Sequence, residues 1–329
     1  MTAYVAKVAS QTWESHTLDL EPSYESHIFT GAQEVPIYGS WAMPSAPKGT
    51  IIGTYGITGD LENQWFLKIL GRKAIAAGYA VVLFDWRAHG KTAVLSPTLT
   101  SDGLYEGDDF VHIASQAKAL GCPAPFWFTG YSLGGQLALW GTQAAQTAKS
   151  AIIDPDDIQG GAVICPSLDS ERSLHYLTAH PIGKYIEKGI ANNLQKLAWK
   201  LHQDHPGEFD PAAIERAESI WGFDQELVIG RLGFASVEDY YAASSPLPLL
   251  PHLTKPTLIL YAADDPLFAP SIVPDLKAAC AYNPAIDLYL TKQGGHVGYV
   301  SSAEGQAIAG DPDPWWAWNR ILEWCDSYL

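Results

Sequence analysis

The chain has 329 residues, enough for one large α/β domain with an inserted subdomain, and a composition of 47% hydrophobic and 17% charged residues carries no signature of disorder. Lys and Arg number 20 against 36 Asp and Glu, and the formal charge of −16 repels phosphate backbones, which argues against nucleic acid as a partner. Cys122, Cys165, Cys280 and Cys325 are scattered without C-x-x-C spacing, so reduced buried thiols are expected rather than a disulfide framework or a zinc site.

In chain order, Met1 to Ser10 lacks a basic segment followed by an apolar stretch. No uninterrupted apolar run approaches the ~18 residues a membrane span needs, so a cytoplasmic protein is expected. Ser26 to Met43 predicts a leading antiparallel strand pair. From Thr50 onward, short β-branched or aromatic runs alternate with longer helix-like stretches, the pattern of a mostly parallel sheet covered on both faces. Strands are expected at Thr50 to Tyr55, Tyr79 to Asp85, Pro125 to Thr129, Ala162 to Cys165, Thr257 to Tyr261 and Ile286 to Leu290. Gln64 to Ala77, Asp108 to Ala119 and Leu133 to Ala148 have the length and composition of crossover helices, each followed by Gly, Pro or polar punctuation. Between Pro166 and Pro251 the strands vanish and Ile186, Ile190, Leu194, Leu197 and Leu201 recur at helical spacing. This predicts a helical cap over 166–251, inserted into a core made of 1–165 and 252–329, with Ser245 to Pro251 returning the chain to the sheet. Lys184, Lys188, Lys196 and Lys200 lie off that apolar stripe, on a solvated face. Pro314 to Tyr328 reads as a closing helix whose Trp315, Trp316, Trp318 and Trp324 pack into the core.

The chemistry centres on Gly130-Tyr131-Ser132-Leu133-Gly134-Gly135, a match to G-x-S-x-G, in which a tight strand-to-helix turn exposes a strained serine hydroxyl. Five letters alone also fit an ordinary Gly-rich turn, so the context decides: a strand precedes and a long helix follows. A serine hydroxyl near neutral pH needs a base, and the base needs a group that fixes its tautomer. Asp264-Asp265-Pro266 follows one strand and Gly294-Gly295-His296-Val297-Gly298 follows the next, in the order Ser, Asp, His. The motif leaves the two aspartates ambiguous. Counting from Ala262 at the strand end favours Asp265, and Pro266 restricts Asp265 to extended backbone. Backbone donors for a tetrahedral oxyanion are available at Leu133, opening the helix after the serine, and at Ile57 in Tyr55-Gly56-Ile57-Thr58-Gly59. His202 and His205 form H-x-x-H near Glu208 and Asp210, but that stretch reads as a solvated loop rather than a metal site.

These residues resemble the α/β-hydrolase superfamily and, within it, the YheT-like (embryogenesis-associated-protein-like) branch. The likeness runs from Thr50 to Val300 and includes Phe223-Asp224, Gly233-Phe234, Asp239-Tyr240-Tyr241 with Ser244, and Pro256-Thr257-Leu258-Ile259. It implies an α/β-hydrolase fold and a serine hydrolase acting on a carboxylic ester, an acyl or lipid substrate, with Ser132, Asp265 and His296 as triad and no metal or organic cofactor. Acyl transfer to an alcohol through the same acyl-enzyme is the neighbouring reading, and a non-catalytic ligand-binding member of the fold is the rival from another class. Tyr55-Gly56 departs from the usual His-Gly of the oxyanion loop. Phe84-Asp85-Trp86-Arg87-Ala88-His89-Gly90 carries Ala88 within an otherwise usual stretch that is expected to shape the fold rather than the chemistry.

Overall fold

A computed structural model describes residues 9–17, 19–148 and 152–329, so the expectation drawn from Met1 to Ser10 falls mostly outside the described residues. An eight-stranded sheet runs in the order β1-β2-β4-β3-β5-β6-β7-β8. Its strands are β1 Glu25–Thr30, β2 Pro36–Ala42, β3 Thr50–Thr54, β4 Ala80–Phe84, β5 Phe126–Tyr131, β6 Ile158–Ile164, β7 Thr257–Ala262 and β8 Ile286–Thr291. β1 and β2 form the expected antiparallel pair and β2 joins β4 antiparallel, while every later pairing is parallel. β3, β4, β5 and β7 are buried at every position, as a sheet with helices on both faces requires.

Most strands begin and end within a residue or two of their expected limits, and β6 is the exception. It starts at Ile158, not Ala162, because Gly160 and Gly161 interrupt the β-branched run that marks a strand in sequence. A side chain at Gly160 would meet the Pro256 carbonyl at 1.9 Å, so close approach to the chain entering β7 demands the glycine.

The crossover helices are α1 Trp65–Ala76, α2 Glu106–Ala119 and α3 Leu133–Gln146. Among the described residues no strand lies between β6 and β7. That interval holds α4 Ser170–Ala179, α5 Pro181–Asp204 and α6 Val237–Ser244, with short helical turns between the last two. The Asp169 side chain caps α4, Pro181 opens α5, and the Ser236 hydroxyl caps α6. Leu194, Ala198 and Leu201 of α5 pack with Phe209, Ile214, Phe223, Val228 and Tyr240 in a second core, which takes in Ala88, Ala93 and Leu99 of the sheet domain. The helical segment is therefore welded to the loop after β4 by shared apolar burial.

The loop expected around His202 and His205 is helix as far as Asp204. Leu201 is fully buried and extends the apolar stripe, while His202 Nδ1 meets the Phe209 carbonyl at 3.0 Å and His205 Nε2 the Ala93 carbonyl at 2.7 Å. Both rings thus fasten backbone. The closing helix α7 spans Trp316–Asp326. Trp315, Trp318 and Trp324 are buried; Trp316 is half-buried and stacks on Tyr299.

Candidate active site

Ser132 sits between the end of β5 and the start of α3 with φ 55° and ψ −128°, a left-handed conformation strained for a residue bearing a Cβ. The turn is so tight that a side chain at Gly130 would meet the Gly134 carbonyl at 2.2 Å, and one at Gly134 the Tyr55 carbonyl at 2.3 Å. Ser132 Oγ lies 2.9 Å from His296 Nε2, and His296 Nδ1 lies 2.8 Å from Asp265 Oδ2. With a carboxylate facing Nδ1, the neutral imidazole carries its proton there and leaves Nε2 to accept from the serine hydroxyl.

The two neighbouring aspartates have different partners. Asp265 is buried, and its Oδ1 accepts from the Leu267 amide at 2.9 Å, which directs Oδ2 toward the imidazole. Asp264 is exposed at the turn and accepts the Gly295 amide at 2.9 Å, so it fastens the loop that carries His296. The edge of the Phe268 ring packs against His296 with centroids 5.1 Å apart.

Neither the Ile57 nor the Leu133 amide has an acceptor among the described residues. Next to Ile57, the Thr58 amide donates to His89 Nε2 at 3.3 Å, while His89 Nδ1 faces the Arg87 carbonyl at 3.0 Å and the ring stacks on Trp86 at 3.6 Å. Burial lowers the His89 pKa to about 4, so the ring is neutral and able to accept. Asp85 holds both ends of the same loop: it accepts from Tyr55 Oη at 2.5 Å and from the Leu61 amide at 2.9 Å, and also from the Lys91 amide at 2.8 Å. The stretch Phe84 to Gly90, expected only to shape the fold, thus reaches the site. The tyrosine in place of the usual histidine turns its hydroxyl to a buried carboxylate. Sequence reasoning missed His89 because its partner is a backbone amide in another loop, which no spacing rule exposes. The available signal was a histidine inside a Gly-containing loop directly after a fully apolar strand.

Ser132, Ile57 and Leu133 line a cavity of about 140 Å³ whose wall continues through Leu174, Ile190, Leu194, Leu197 and Phe268, while His296 stays outside that wall. Three residues of the predicted apolar stripe of α5 therefore face the space beside the serine. Lys184, Lys188, Lys196 and Lys200 are exposed. Among the described residues no group of three or more His, Cys, Asp or Glu side chains is gathered as a metal site would require.

Residues 59–309 match the alpha/beta hydrolase family. The esterase-designated protein slr0264 of Synechocystis sp. is 58% identical over 337 residues, an alignment covering 99% of this chain and 91% of that protein. YheT of Escherichia coli, also designated an esterase, is 30% identical over 209 residues, 63% of this chain and 56% of its own length. Phospholipase ABHD3 of Homo sapiens is 26% identical over 261 residues, 78% of this chain and 60% of its own. Among solved structures, the esterase Pf2001 of Pyrococcus furiosus shares the fold with a TM-score of 0.59 at 17% identity, covering 94% of this chain and 92% of that one. Together with the eight-stranded sheet, these likenesses make the chain a hydrolase of the alpha/beta hydrolase family, in its YheT-like branch.

Proposed function

We propose that this protein hydrolyses a carboxylic ester through an acyl-enzyme on Ser132. The observation that carries this reading is the unbroken line from Ser132 Oγ through His296 to Asp265, at 2.9 Å and 2.8 Å. Ser132 attacks the ester carbonyl as its proton passes to His296 Nε2, and the negative charge on the carbonyl oxygen is received by the Ile57 and Leu133 amides. Collapse breaks the bond to the alcohol, which leaves with the proton from His296. Water then repeats the attack on the acyl group, and Ser132 regains its proton as the acid departs. Asp265 keeps Nδ1 protonated throughout.

The alcohol must depart on the His296 side, and the cavity includes Ser132 and both amide residues but not His296, so it is read as the acyl pocket. Its apolar wall suits an acyl or lipid chain, in keeping with the esterase and phospholipase designations of the relatives. The segment 166–251 serves as the cap over a core of 1–165 and 252–329. No helix among the described residues is long and apolar enough to cross a membrane.

The test is labelling by a fluorophosphonate probe combined with hydrolysis of p-nitrophenyl butyrate. Ser132 should be the labelled residue, and Ser132→Ala should retain the fold while losing labelling and all but background turnover. Turnover near that of the wild type in Ser132→Ala would reject the assignment. A folded wild-type protein that does not label would point to a ligand-binding member of the fold. Added ethanol, with analysis for ethyl ester, separates hydrolysis from acyl transfer.

A further inference from the structure

We propose that Asp102, Asp224 and Ser173 form a polar subsite in the wall of the acyl pocket that recognises a hydroxyl or ammonium group carried on the substrate's acyl chain; the proposal rests on the ester-hydrolase reading and deepens it. All three residues line the cavity that Ser132 opens into, and all three are at least nine-tenths buried. They come from separate parts of the chain: Asp102 from the loop before α2, Ser173 from α4, and Asp224 from the first position of a π-helical turn, Asp224–Val228. Such turns are rare and recur at functional sites.

Ser173 supplies the independent observation. Its Oγ is buried, lines the pocket and has no hydrogen-bond partner among the described residues. A buried hydroxyl without a partner is destabilising, and a ligand donor or acceptor beside it removes that cost.

The carboxylates are under-compensated as well. Among the described residues neither Asp102 nor Asp224 pairs with Lys, Arg or His. Asp224 accepts from Tyr241 Oη at 2.5 Å, and Asp102 has the Tyr240 hydroxyl beside it and a long contact to Thr100 Oγ1 at 3.4 Å, neutral partners in both cases. The buried Arg87 guanidinium is taken by Asp109, and Glu106 adds a further buried carboxylate beside Asp102, satisfied by Ser101 and the Gly103 amide. Burial and mutual repulsion raise both pocket carboxyls, Asp102 to about 7. Two neighbouring carboxyls are thereby held in a largely apolar wall without a cation among the described residues. A polar hydrogen on a saturated chain gives these oxygens a partner, whereas a plain alkyl chain leaves them unanswered. The subsite is also anchored near the reaction centre. Gln136, one turn of α3 beyond Ser132, donates to the Asp102 carbonyl at 2.7 Å and to the Ser244 carbonyl of the inserted segment at 3.1 Å.

The experiment compares kcat/KM for p-nitrophenyl hexanoate and octanoate with the same esters bearing a terminal hydroxyl or amine, in the wild type and in Ser173→Ala, Asp224→Asn and Asp102→Asn. The readout is the ratio of functionalised to plain ester within each protein, so a general loss of activity does not register. At one chain length the wild-type ratio should reach about tenfold or more. It should fall toward one in the variants, with an ammonium preference losing more than a hydroxyl preference when a carboxylate is neutralised. A wild-type ratio at or below one at both lengths, or a ratio unchanged in all three variants, overturns the subsite. Plain esters turned over without preference leave the ester-hydrolase reading standing; absence of both turnover and fluorophosphonate labelling removes that reading and the subsite with it.

Discussion

Two walls of the same pocket are built by opposite rules. On the wall made by the ends of β3, β5 and β7, the polar groups meet at short range: Ser132 with His296, His296 with Asp265, the Thr58 amide with His89, and Tyr55 with Asp85. The Ile57 and Leu133 amides beside Ser132 have no acceptor among the described residues, which leaves them free for an oxyanion. On the wall where the loop before α2 meets the inserted helices, a serine hydroxyl has no partner and two carboxyls crowd without a cation among the described residues. The first arrangement is complete without substrate, as preorganised chemistry must be, since reorienting dipoles during the reaction would cost rate. The second is left for a ligand to complete, as recognition must be, because selectivity comes from groups whose cost is relieved by one substrate only.

The sharpest way to break the completed wall is at its aspartates. Asp265→Asn can present an amide that stabilises the wrong imidazole tautomer, so kcat should fall by as much as ~10⁴ with little change in fold. Asp264→Asn retains an oxygen able to accept from the Gly295 amide, so its kcat should stay within about tenfold of the wild type. The two variants are compared in kcat and melting temperature, and a larger kcat loss at Asp264 would exchange their roles.

The apolar part of the recognition wall is broken more gently. Leu197 is half-buried and lines the cavity from α5. Leu197→Asn should reduce kcat/KM on p-nitrophenyl octanoate about tenfold more than on the acetate, since only the longer chain reaches that wall. Equal losses on both esters would give α5 a purely supporting role.

A stability measurement, which leaves turnover aside, sharpens the account of the oxyanion loop. Burial holds His89 at about 4 against the ordinary histidine value of 6.5, so between these values the unfolded chain binds a proton that the folded protein refuses. Its contribution is full above pH 6.5, declines as the pH falls toward 4 and is gone below that, a span of about 3 kcal/mol. Asp102 acts with the opposite sign: with its carboxyl raised to about 7, its contribution is present below 3.8 and lost as the pH rises through 7. Comparing wild type with His89→Gln isolates the imidazole. Denaturant unfolding at pH 7 and pH 4.5 should show a smaller drop in the variant, and identical drops would mean that His89 is protonated in the folded protein.

The sequence alone determined the alternation of strand and helix, the strand-free insertion and the turn at Ser132. Each is a local demand that leaves a local trace: β-branched runs for buried parallel strands, helical spacing for α5, and Gly130 and Gly134 where the backbone passes too close for any side chain. The start of β6 escaped because the same kind of close approach required Gly160, which together with Gly161 reads in sequence as a break. Tertiary structure decided the rest. The count from Ala262 and the following Pro266 favour Asp265, but only the folded chain sets Asp265 against His296 and gives Asp264 the Gly295 amide, a role the sequence did not suggest. Only folding brings His89 under the Thr58 amide and gathers Asp102, Ser173 and Asp224 around one cavity. Those pairings join residues far apart in the chain, and no periodicity of the backbone links their positions, so they are written in three dimensions alone.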